Sequence, residues 1–421
     1  MNMKQRYELG VMDYYPAVIN GTNVEHNPSF SVTFKKTIDP NRLYDSIKEA
    51  LSYYPLLKSR LISQSWFYLE DNDLEFTLIH SKLEDRPKEY GPDSNEFPWQ
   101  ASWHDKTFFF EWCHGATDGR GAFAFFKDVI RIYCGFKPEP PAMDTAFKPG
   151  IEAFYDKSIP GAKRSEKKGF TRKSTPYYLD KGYSATCHVI ELSTEEILRF
   201  SRENAASPST VIAPIMCRSI RQHMVPGTKA ENVTCNIPVD CRVPMDYNTM
   251  HNCIIDEVMV YSDKYDRMSV PEMCKAYRVE MKEFLKPDSI RKESTAMVDF
   301  LSIFEKIKLN PVRRVLGMII AKYMKHTECN ISLSYIGKVE LPDDILEYIE
   351  DMHFTCWPDF GECMLSCLDF NGRFILDICE NFVDKSIIQS FIDTCNEHGL
   401  QAKETRTYTF TQANYRIKRS S

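Results

Sequence analysis

The amino-acid sequence predicts an α/β protein built in two lobes. Three observations carry this. Strand-like runs and helix-like apolar stripes alternate along nearly the whole chain. The chain has 421 residues, enough for two domains with sizeable cores. The alternation fails at length over 136–182, where "KPEPPAMD" and "PGAKRSEKKGFTRKSTP" read as a polar surface connection. The expected division is 1–136 for the first lobe, 137–182 for a crossover and 183–421 for the second lobe.

Composition narrows the function classes. The chain is 43% hydrophobic and 27% charged, ordinary for a soluble globular protein. Its 53 basic and 59 acidic residues give a net charge of -6, no electrostatic case for nucleic acid. The 14 cysteines form no Cys-x-x-Cys pair and read as reduced, mostly buried thiols. The ten histidines lack metal-ligand spacing, so no metal site is expected. The N-terminus lacks an apolar leader, and the most apolar helix candidate, 315–321, is far short of the ~20 residues that span a bilayer. Arg313, Arg314, Lys322 and Lys325 flank it, which suits either a buried amphipathic helix or a peripheral membrane helix. These features predict a cytoplasmic protein.

The first lobe reads in order as follows. Residues 29–34 form a strand. Asp39 caps a helix with Pro40 in its first turn; Leu43, Ile47 and Leu51 make its apolar stripe and Pro55 ends it. Residues 62–69 and 74–79 read as two strands joined at Asp71-Asn72-Asp73. The acidic, proline-containing stretch 83–98 reads as a surface loop. Residues 108–112, almost all aromatic, read as a central strand. Cys113-His114-Gly115-Ala116-Thr117-Asp118-Gly119 follows, and then a helix over 122–133. Ala122, Phe125, Phe126, Val129 and Tyr133 share the apolar face of that helix; Arg120, Lys127, Asp128 and Arg131 share the other.

A strand end delivers a side chain into a crevice, and imidazole titrates near neutral pH, so His114 suits a general base. Asp118 suits a salt bridge that orients the turn, and Gly119 lets the backbone turn tightly into the helix. The spacing alone is common in loops; its place between an apolar strand and an apolar helix singles it out. His-x-x-x-Asp-Gly in this setting resembles the motif of acyltransferases with the chloramphenicol acetyltransferase fold. That superfamily includes alcohol O-acetyltransferases, to which the chain is most similar, plant acyl-CoA-dependent acyltransferases and the condensation domains of peptide synthetases. The passage "DPNRLYDSIKEALSYYPLLKSRL" is similar to the superfamily's opening. Condensation domains usually carry two adjacent histidines, whereas Cys113 precedes His114 here. The resemblance implies that the second histidine is the base. It also gives the crossover a purpose, joining two similar lobes; the basic run 163–173 is either a solvated loop or a contact for coenzyme A phosphates.

In the second lobe, 186–192 reads as a strand, and Ser193 with Glu196 opens a helix to about Asn204. Ser207-Pro208 opens another over 209–224, with a kink expected at Pro214. "SPSTVIAPIMCRSI" resembles the superfamily helix that borders the channel, which makes Thr210 a pocket candidate. After a strand over 233–237, Val239-Asp240-Cys241-Arg242 resembles the Val-Asp-x-Arg segment, whose arginine pairs with the motif aspartate; the resemblance therefore pairs Arg242 with Asp118 and makes both structural. Asn252 matches an asparagine that follows in relatives. Residues 254–261 read as a strand, and 271–284 and 295–308 as helices. The strand 330–336 runs into Ser334-Tyr335-Ile336-Gly337, which resembles a Ser-Asn-x-Gly segment with Tyr335 in place of the asparagine. The Ser334 hydroxyl, with Ser332 on the same strand face, is the candidate oxyanion donor, or else an ordinary strand serine. Asp359-Phe360-Gly361 partly matches a plant acyltransferase motif and reads as coincidence. Residues 364–370 and 373–379 form a hairpin on Asn371-Gly372. A helix over 384–398, stopped by Gly399, and an edge strand over 401–410 end the chain.

The resemblance thus implies a chloramphenicol acetyltransferase-like fold, each lobe a mixed β-sheet flanked by helices, with a channel between them. It implies a CoA-dependent acyltransferase, O-acyl before N-acyl, with His114 and Ser334 catalytic. Acyl-CoA is expected as co-substrate beside a small-molecule acceptor, with no permanently bound cofactor and a monomeric chain. Two other readings stay open: a condensation or release enzyme served by a carrier protein, and a non-catalytic relative that binds a ligand or partner in the same cleft. Cys113 and the lack of a carrier domain weigh against the first, and intact His114, Asp118 and Gly119 against the second.

Overall fold

The computed structural model describes residues 4–19, 28–63, 67–81, 94–141, 150–159, 184–224, 232–304, 306–327, 330–356, 363–380, 382 and 384–411. The chain opens with β1 (Arg6–Glu8), α1 (Val11–Ile19), β2 (Ser29–Phe34) and α2 (Pro40–Leu51). Next come β3 (Ser59–Ser63), β4 (Phe67–Asp71), β5 (Leu78–His80), β6 (Trp99–His104), β7 (Thr107–Trp112) and α3 (Gly119–Tyr133). A short 3-10 helix, Ile151–Phe154, comes between α3 and β8. Then follow β8 (Ser184–Ser193), α4 (Thr194–Glu203), α5 (Pro208–Gln222), β9 (Val233–Asp240), α6 (Arg242–Met245), β10 (Ile254–Tyr261) and α7 (Asp263–Asp266). Helices α8 (Val270–Phe284), α9 (Pro287–Leu301) and α10 (Asn310–Thr327) come before β11 (Ile331–Lys338), α11 (Asp343–Leu346) and β12 (Ile349–Thr355). The hairpin β13 (Cys363–Phe370) and β14 (Arg373–Glu380), α12 (Ser386–Glu397) and β15 (Lys403–Thr411) complete it.

Two mixed sheets organise the molecule. One has the order β12-β2-β7-β6-β5, the other β10-β9-β11-β13-β14-β8-β15; a small sheet β1-β4-β3 stands apart. Strand β11 runs parallel to both its neighbours, β9 and β13. Helices α4, α5, α8 and α12 bury one face of the larger sheet in a core of their own. Its other face, through Cys187, Val189, Leu368, Phe370 and Ile375, joins the core of the smaller sheet. The two lobes therefore share a core where they meet. The aromatic strand β7 is central, between β2 and β6. Phe125 and Phe126 of α3 pack on it, with ring centroids 5.1 Å from Phe110 and 5.5 Å from Phe108 respectively.

Local signals act as their chemistry predicts. The Asp39 carboxylate accepts from the Asn41 N–H at 2.9 Å. Asn371 and Gly372 both take positive φ, +50° and +78°, in the β13–β14 turn. Helix α5 runs through Pro214.

Several elements differ from the sequence reading. The strand expected over 62–69 is instead divided between two antiparallel strands: β3 and β4 pair Ser59 with Asp71 and Ser63 with Phe67. The residues that join them, Gln64-Ser65-Trp66, lie outside the described residues. Of the next expected strand, 74–79, only Leu78 and Ile79 fall in a strand, β5. Helix α9 begins at Pro287, eight residues before the expected 295, because Pro287 fits a first helical turn. Asp128 and Arg131, expected on the solvent face of α3, are buried; the Tyr54 hydroxyl donates to Asp128 at 2.8 Å and ties α3 to the end of α2. The loop over 83–93, the basic run 163–173 and Asp359-Phe360-Gly361 lie outside the described residues.

One connection crosses between lobes. Strand β12, from the second half of the chain, pairs with β2 and so completes the first sheet. It carries His353, which is buried between two carboxylates: Nδ1 lies 2.9 Å from Asp377 on β14 and Nε2 lies 2.8 Å from Asp351. Burial opposes charge on this ring, but Asp377 and Asp351 outweigh it and push the imidazole up to about 9, although Arg406 sits 3.2 Å from Nε2. Unfolded histidine titrates near ~6.5, so the folded protein binds this proton more tightly. The stability it contributes is complete below pH ~6.5 and is lost as pH rises through about 9. Urea unfolding is expected to show stability falling across that window by on the order of a few kcal/mol, with a shallower slope in His353→Gln; a flat wild-type profile would overturn the assignment.

Candidate active site

The histidine turn is held at both ends. At the strand end, the Cys113 N–H donates to the Pro98 carbonyl at 2.9 Å, and the Ala116 N–H closes a turn onto the Cys113 carbonyl at 3.0 Å. The Cys113 side chain is buried outside the cavity lining, and its Sγ accepts from the Gly115 N–H at 3.3 Å. At the helix end, Asp118 is the N-cap of α3; its Oδ1 accepts from the Arg120 and Gly121 N–H groups, both at 3.1 Å. Gly119 is not among the glycines with positive φ, and a Cβ there would lie 3.1 Å from the tip of the Ile336 side chain, so the first turn of α3 packs closely on β11.

Asp118 also reaches across to the other lobe. Its Oδ2 accepts from the Arg242 guanidinium at 2.8 Å and from the Cys253 N–H at 3.0 Å, and both members of the ion pair are buried. Burial pushes the Asp118 carboxyl up; Arg242 and the surrounding N–H donors outweigh that and hold it below the usual carboxylate range. The rest of the guanidinium is occupied too. It donates to Asp240 at 3.1 Å, twice to the Thr249 carbonyl at 3.0 Å and to the His251 carbonyl at 2.9 Å. The pair thus fixes three segments: the histidine turn, the end of β9, and the stretch 249–253. The carboxylate of Asp118 is engaged by these donors and acts on His114 through the backbone.

The partner of the imidazole is Asn252. His114 Nδ1 lies 3.2 Å from Asn252 Oδ1. The Asn252 amide nitrogen donates to the Asp13 carboxylate and to the His114 carbonyl. This sets the amide orientation, because a flipped amide would turn its oxygen onto a carboxylate and a carbonyl. Asn252 Oδ1 must then accept from Nδ1–H, which places the lone pair on Nε2. Burial draws the His114 pKa below the usual imidazole range, with the Asn252 hydrogen bond acting against that shift. Burial therefore favours the neutral ring.

Asp13, on α1, is the residue that sequence reasoning missed. Buried, it accepts from the Asn252 N–H at 2.9 Å and from the Gly10 N–H at 2.9 Å, and it faces His251 Nδ1 at 2.7 Å. The one available signal was an acid inside the apolar run "VMDYYPAVI", where a charge needs a buried partner. Gly150 was missed as well. A Cβ there would fall 1.9 Å from the Asn252 carbonyl oxygen, so the backbone at residue 150 packs directly on Asn252 through a glycine. Neither contact is written in local periodicity.

A cavity of about 750 Å³ lies between the lobes at this point. His114, Asn252, Ser332, Ser334 and Tyr335 line it. Met12, Met297, Phe300 and Leu301 give it an apolar wall from α1 and α9, while Arg120, Lys127 and Lys338 bring positive charge and Asp240 and Glu340 negative. Phe123 of α3 lines it too, whereas Phe125 and Phe126 are core. Tyr335 packs on Phe374 at 5.2 Å, and its hydroxyl is pushed up to about 12 by burial and nearby Asp369. Thr210 does not line the cavity. It is fully buried, and its hydroxyl accepts from the Ser207 N–H at 2.8 Å in the cap of α5. Among the described residues, no group of three His, Cys, Asp or Glu is placed to hold a metal ion.

No protein-family model matches the chain, and no curated protein matches it in sequence. Solved structures do match in shape. Polyketide synthase associated protein 5 from Mycobacterium tuberculosis aligns with a TM-score of 0.63 at 15% identity, covering 94% of this chain and 97% of that one. TRI101 of F. graminearum, complexed with ethyl coenzyme A, aligns with a TM-score of 0.65 at 12% identity, covering 95% and 99%. The epimerization domain from the third module of tyrocidine synthetase B gives 0.64 at 12%, covering 94% and 95%. These likenesses show the fold, which is the two-lobe fold of the chloramphenicol acetyltransferase-like and condensation-domain proteins.

Removing Arg242 alone leaves the Asp118 charge buried beside it without a cation. Arg242→Ala is expected to lower unfolding free energy in urea by about 3–5 kcal/mol. Adding Asp118→Ala to it should recover part of the loss, since no lone charge then remains. Equal midpoints for Arg242→Ala and wild type would remove this pair from its structural position.

Proposed function

We propose that the protein is an acyltransferase that moves an acyl group, acetyl first among the candidates, from acyl-coenzyme A to a hydroxyl acceptor. The observation that carries the reading is the imidazole of His114. Its Nδ1 proton is held by Asn252, and it opens onto a cavity of about 750 Å³. Nε2 takes the proton of the acceptor hydroxyl, and the oxygen attacks the thioester carbonyl. The tetrahedral oxyanion accepts a hydrogen bond from Ser334 on β11. The intermediate then collapses, the carbon–sulfur bond breaks, and Nε2–H returns the proton to the thiolate. No covalent enzyme intermediate is required. Asp118, Gly119 and Arg242 position the turn; Tyr335 and Asn252 flank the substrates. The reading takes the protein as a cytoplasmic monomer that complements its own site, and prefers oxygen to nitrogen acceptors.

The resemblance in fold to condensation and epimerization domains supports a second reading, in which a carrier protein presents the acyl group. The two readings part on one assay. Purified protein is incubated with acetyl-CoA and longer acyl-CoAs against a panel of alcohols and amines. Acceptor-dependent thiol release is expected, reduced roughly 10²–10⁴-fold in His114→Ala. Transfer only from acyl groups loaded on a carrier protein would favour the second reading, and no transfer from either donor would sink both.

The pH profile tests the base itself. Because the His114 pKa lies below the usual imidazole value of about 6.5, kcat/KM should stay level down to that pH and fall only below it. The Asn252 hydrogen bond holds that pKa up, so Asn252→Ala should move the acid limb to lower pH while reducing kcat by roughly 10-fold or more. A limb at unchanged pH in that variant would remove Asn252 from the role of proton-holding partner.

A further inference from the structure

Helix α10 leaves an apolar face uncovered. Leu309, just before it, and Val312, Val315 and Ile319 recur at three- and four-residue steps and are 66%, 49%, 52% and 58% exposed. The other exposed large hydrophobics among the described residues are scattered singly over the fold. The adjoining face of α10 is satisfied: Leu316 and Ile320 pack with Val11, Tyr14, Leu301 and Phe304.

Charge accompanies the stripe. Residues 306–327 contain Lys306, Lys308, Arg313, Arg314, Lys322 and Lys325 and no Asp or Glu, in a chain of net charge -6. Lys306 and Lys308 are exposed and Arg314 partly so. Arg313 is buried and engaged with the Phe304 carbonyl and Asn310. An apolar ridge edged by positive charge, on an otherwise acidic chain, is complementary to one kind of surface.

We propose that α10 seats the protein on an anionic lipid surface, its exposed apolar side chains among the acyl chains and Lys306 and Lys308 against the headgroups. No helix among the described residues is long and apolar enough to cross a membrane, so the contact is interfacial. A second copy of the chain is a poor occupant, because face-to-face packing would oppose the same positive groups. The position of α10 gives the contact a use. Met12, Met297, Phe300 and Leu301 belong to the cluster on which α10 packs and also line the cavity. On the acyltransfer reading above, a membrane-dissolved apolar alcohol would meet this wall directly.

Vesicle flotation tests the docking independently of any activity. Full-length protein is expected to float with phosphatidylcholine vesicles that contain phosphatidylserine and to float poorly with phosphatidylcholine alone. Binding should weaken with salt. Lys306→Glu and Lys308→Glu should each lower apparent affinity about fivefold or more. Val315→Asp with Ile319→Asp should lower it at least ~10-fold while leaving the thermal midpoint and circular dichroism unchanged, since both sites are exposed. No flotation with either vesicle, or flotation untouched by the aspartates, would overturn the proposal. So would a wild-type dimer that the aspartates turn into a monomer without vesicle binding, which would give the face to a second copy.

Discussion

The site depends on one buried ion pair. A carboxylate and a guanidinium removed from water cost several kcal/mol each, a cost offset only when their remaining hydrogen-bonding capacity is filled. Here it is filled on both sides. Arg242 donates to Asp118, Asp240, Thr249 and His251, and Asp118 accepts from three backbone N–H groups besides the guanidinium. The charges are thus held by backbone from both lobes. Moving either lobe would break several bonds at once, so the cleft wall at His114 has one stable arrangement.

What the ion pair fixes in position, Asn252 fixes in protonation. Asp13 determines which way the amide faces, the amide determines which ring nitrogen carries hydrogen, and burial keeps the ring uncharged. This division of labour places the acidic groups at one remove from the imidazole. A carboxylate directly on Nδ1 would raise the ring's pKa and stabilise its charged form; an amide orients the ring with less change in its basicity. The ring's neutrality therefore comes from burial and its fixed tautomer from Asn252.

Much of this architecture was legible in the sequence, and the boundary of legibility has a physical cause. His114, Asp118 and Gly119 stand together in one turn between a strand and a helix, where periodicity changes from two to 3.6. The turn signals at Asn371-Gly372 and Gly399 are local chemistry and act locally. The β3–β4 pair was misplaced because only the short polar stretch Ser63-Gln64-Ser65 interrupts a β-rich run that otherwise reads as one strand. The contribution of Asp13 was hidden because its partner is 239 residues away and its own helix looks merely apolar. Gly150 was hidden for the opposite reason: it is an ordinary glycine in a polar connection until Asn252 is folded against it. Thr210 shows the limit of a resemblance: the helix forms as expected, but none of its residues lines the cavity and the hydroxyl serves as a cap.

The exchange of β12 also bears on the order in which the molecule can be assembled. Strand β2 lies between β7 and β12, so one side of its backbone is unsatisfied until residues 349–355 exist. During synthesis β2 emerges with an apolar sheet edge open, and roughly three hundred residues must follow it before that edge is closed. A fragment ending at the crossover would carry that edge permanently, with nothing to stop it from pairing with its own kind. The two lobes look separable, but the first is shielded from aggregation only once β12 has been made and paired.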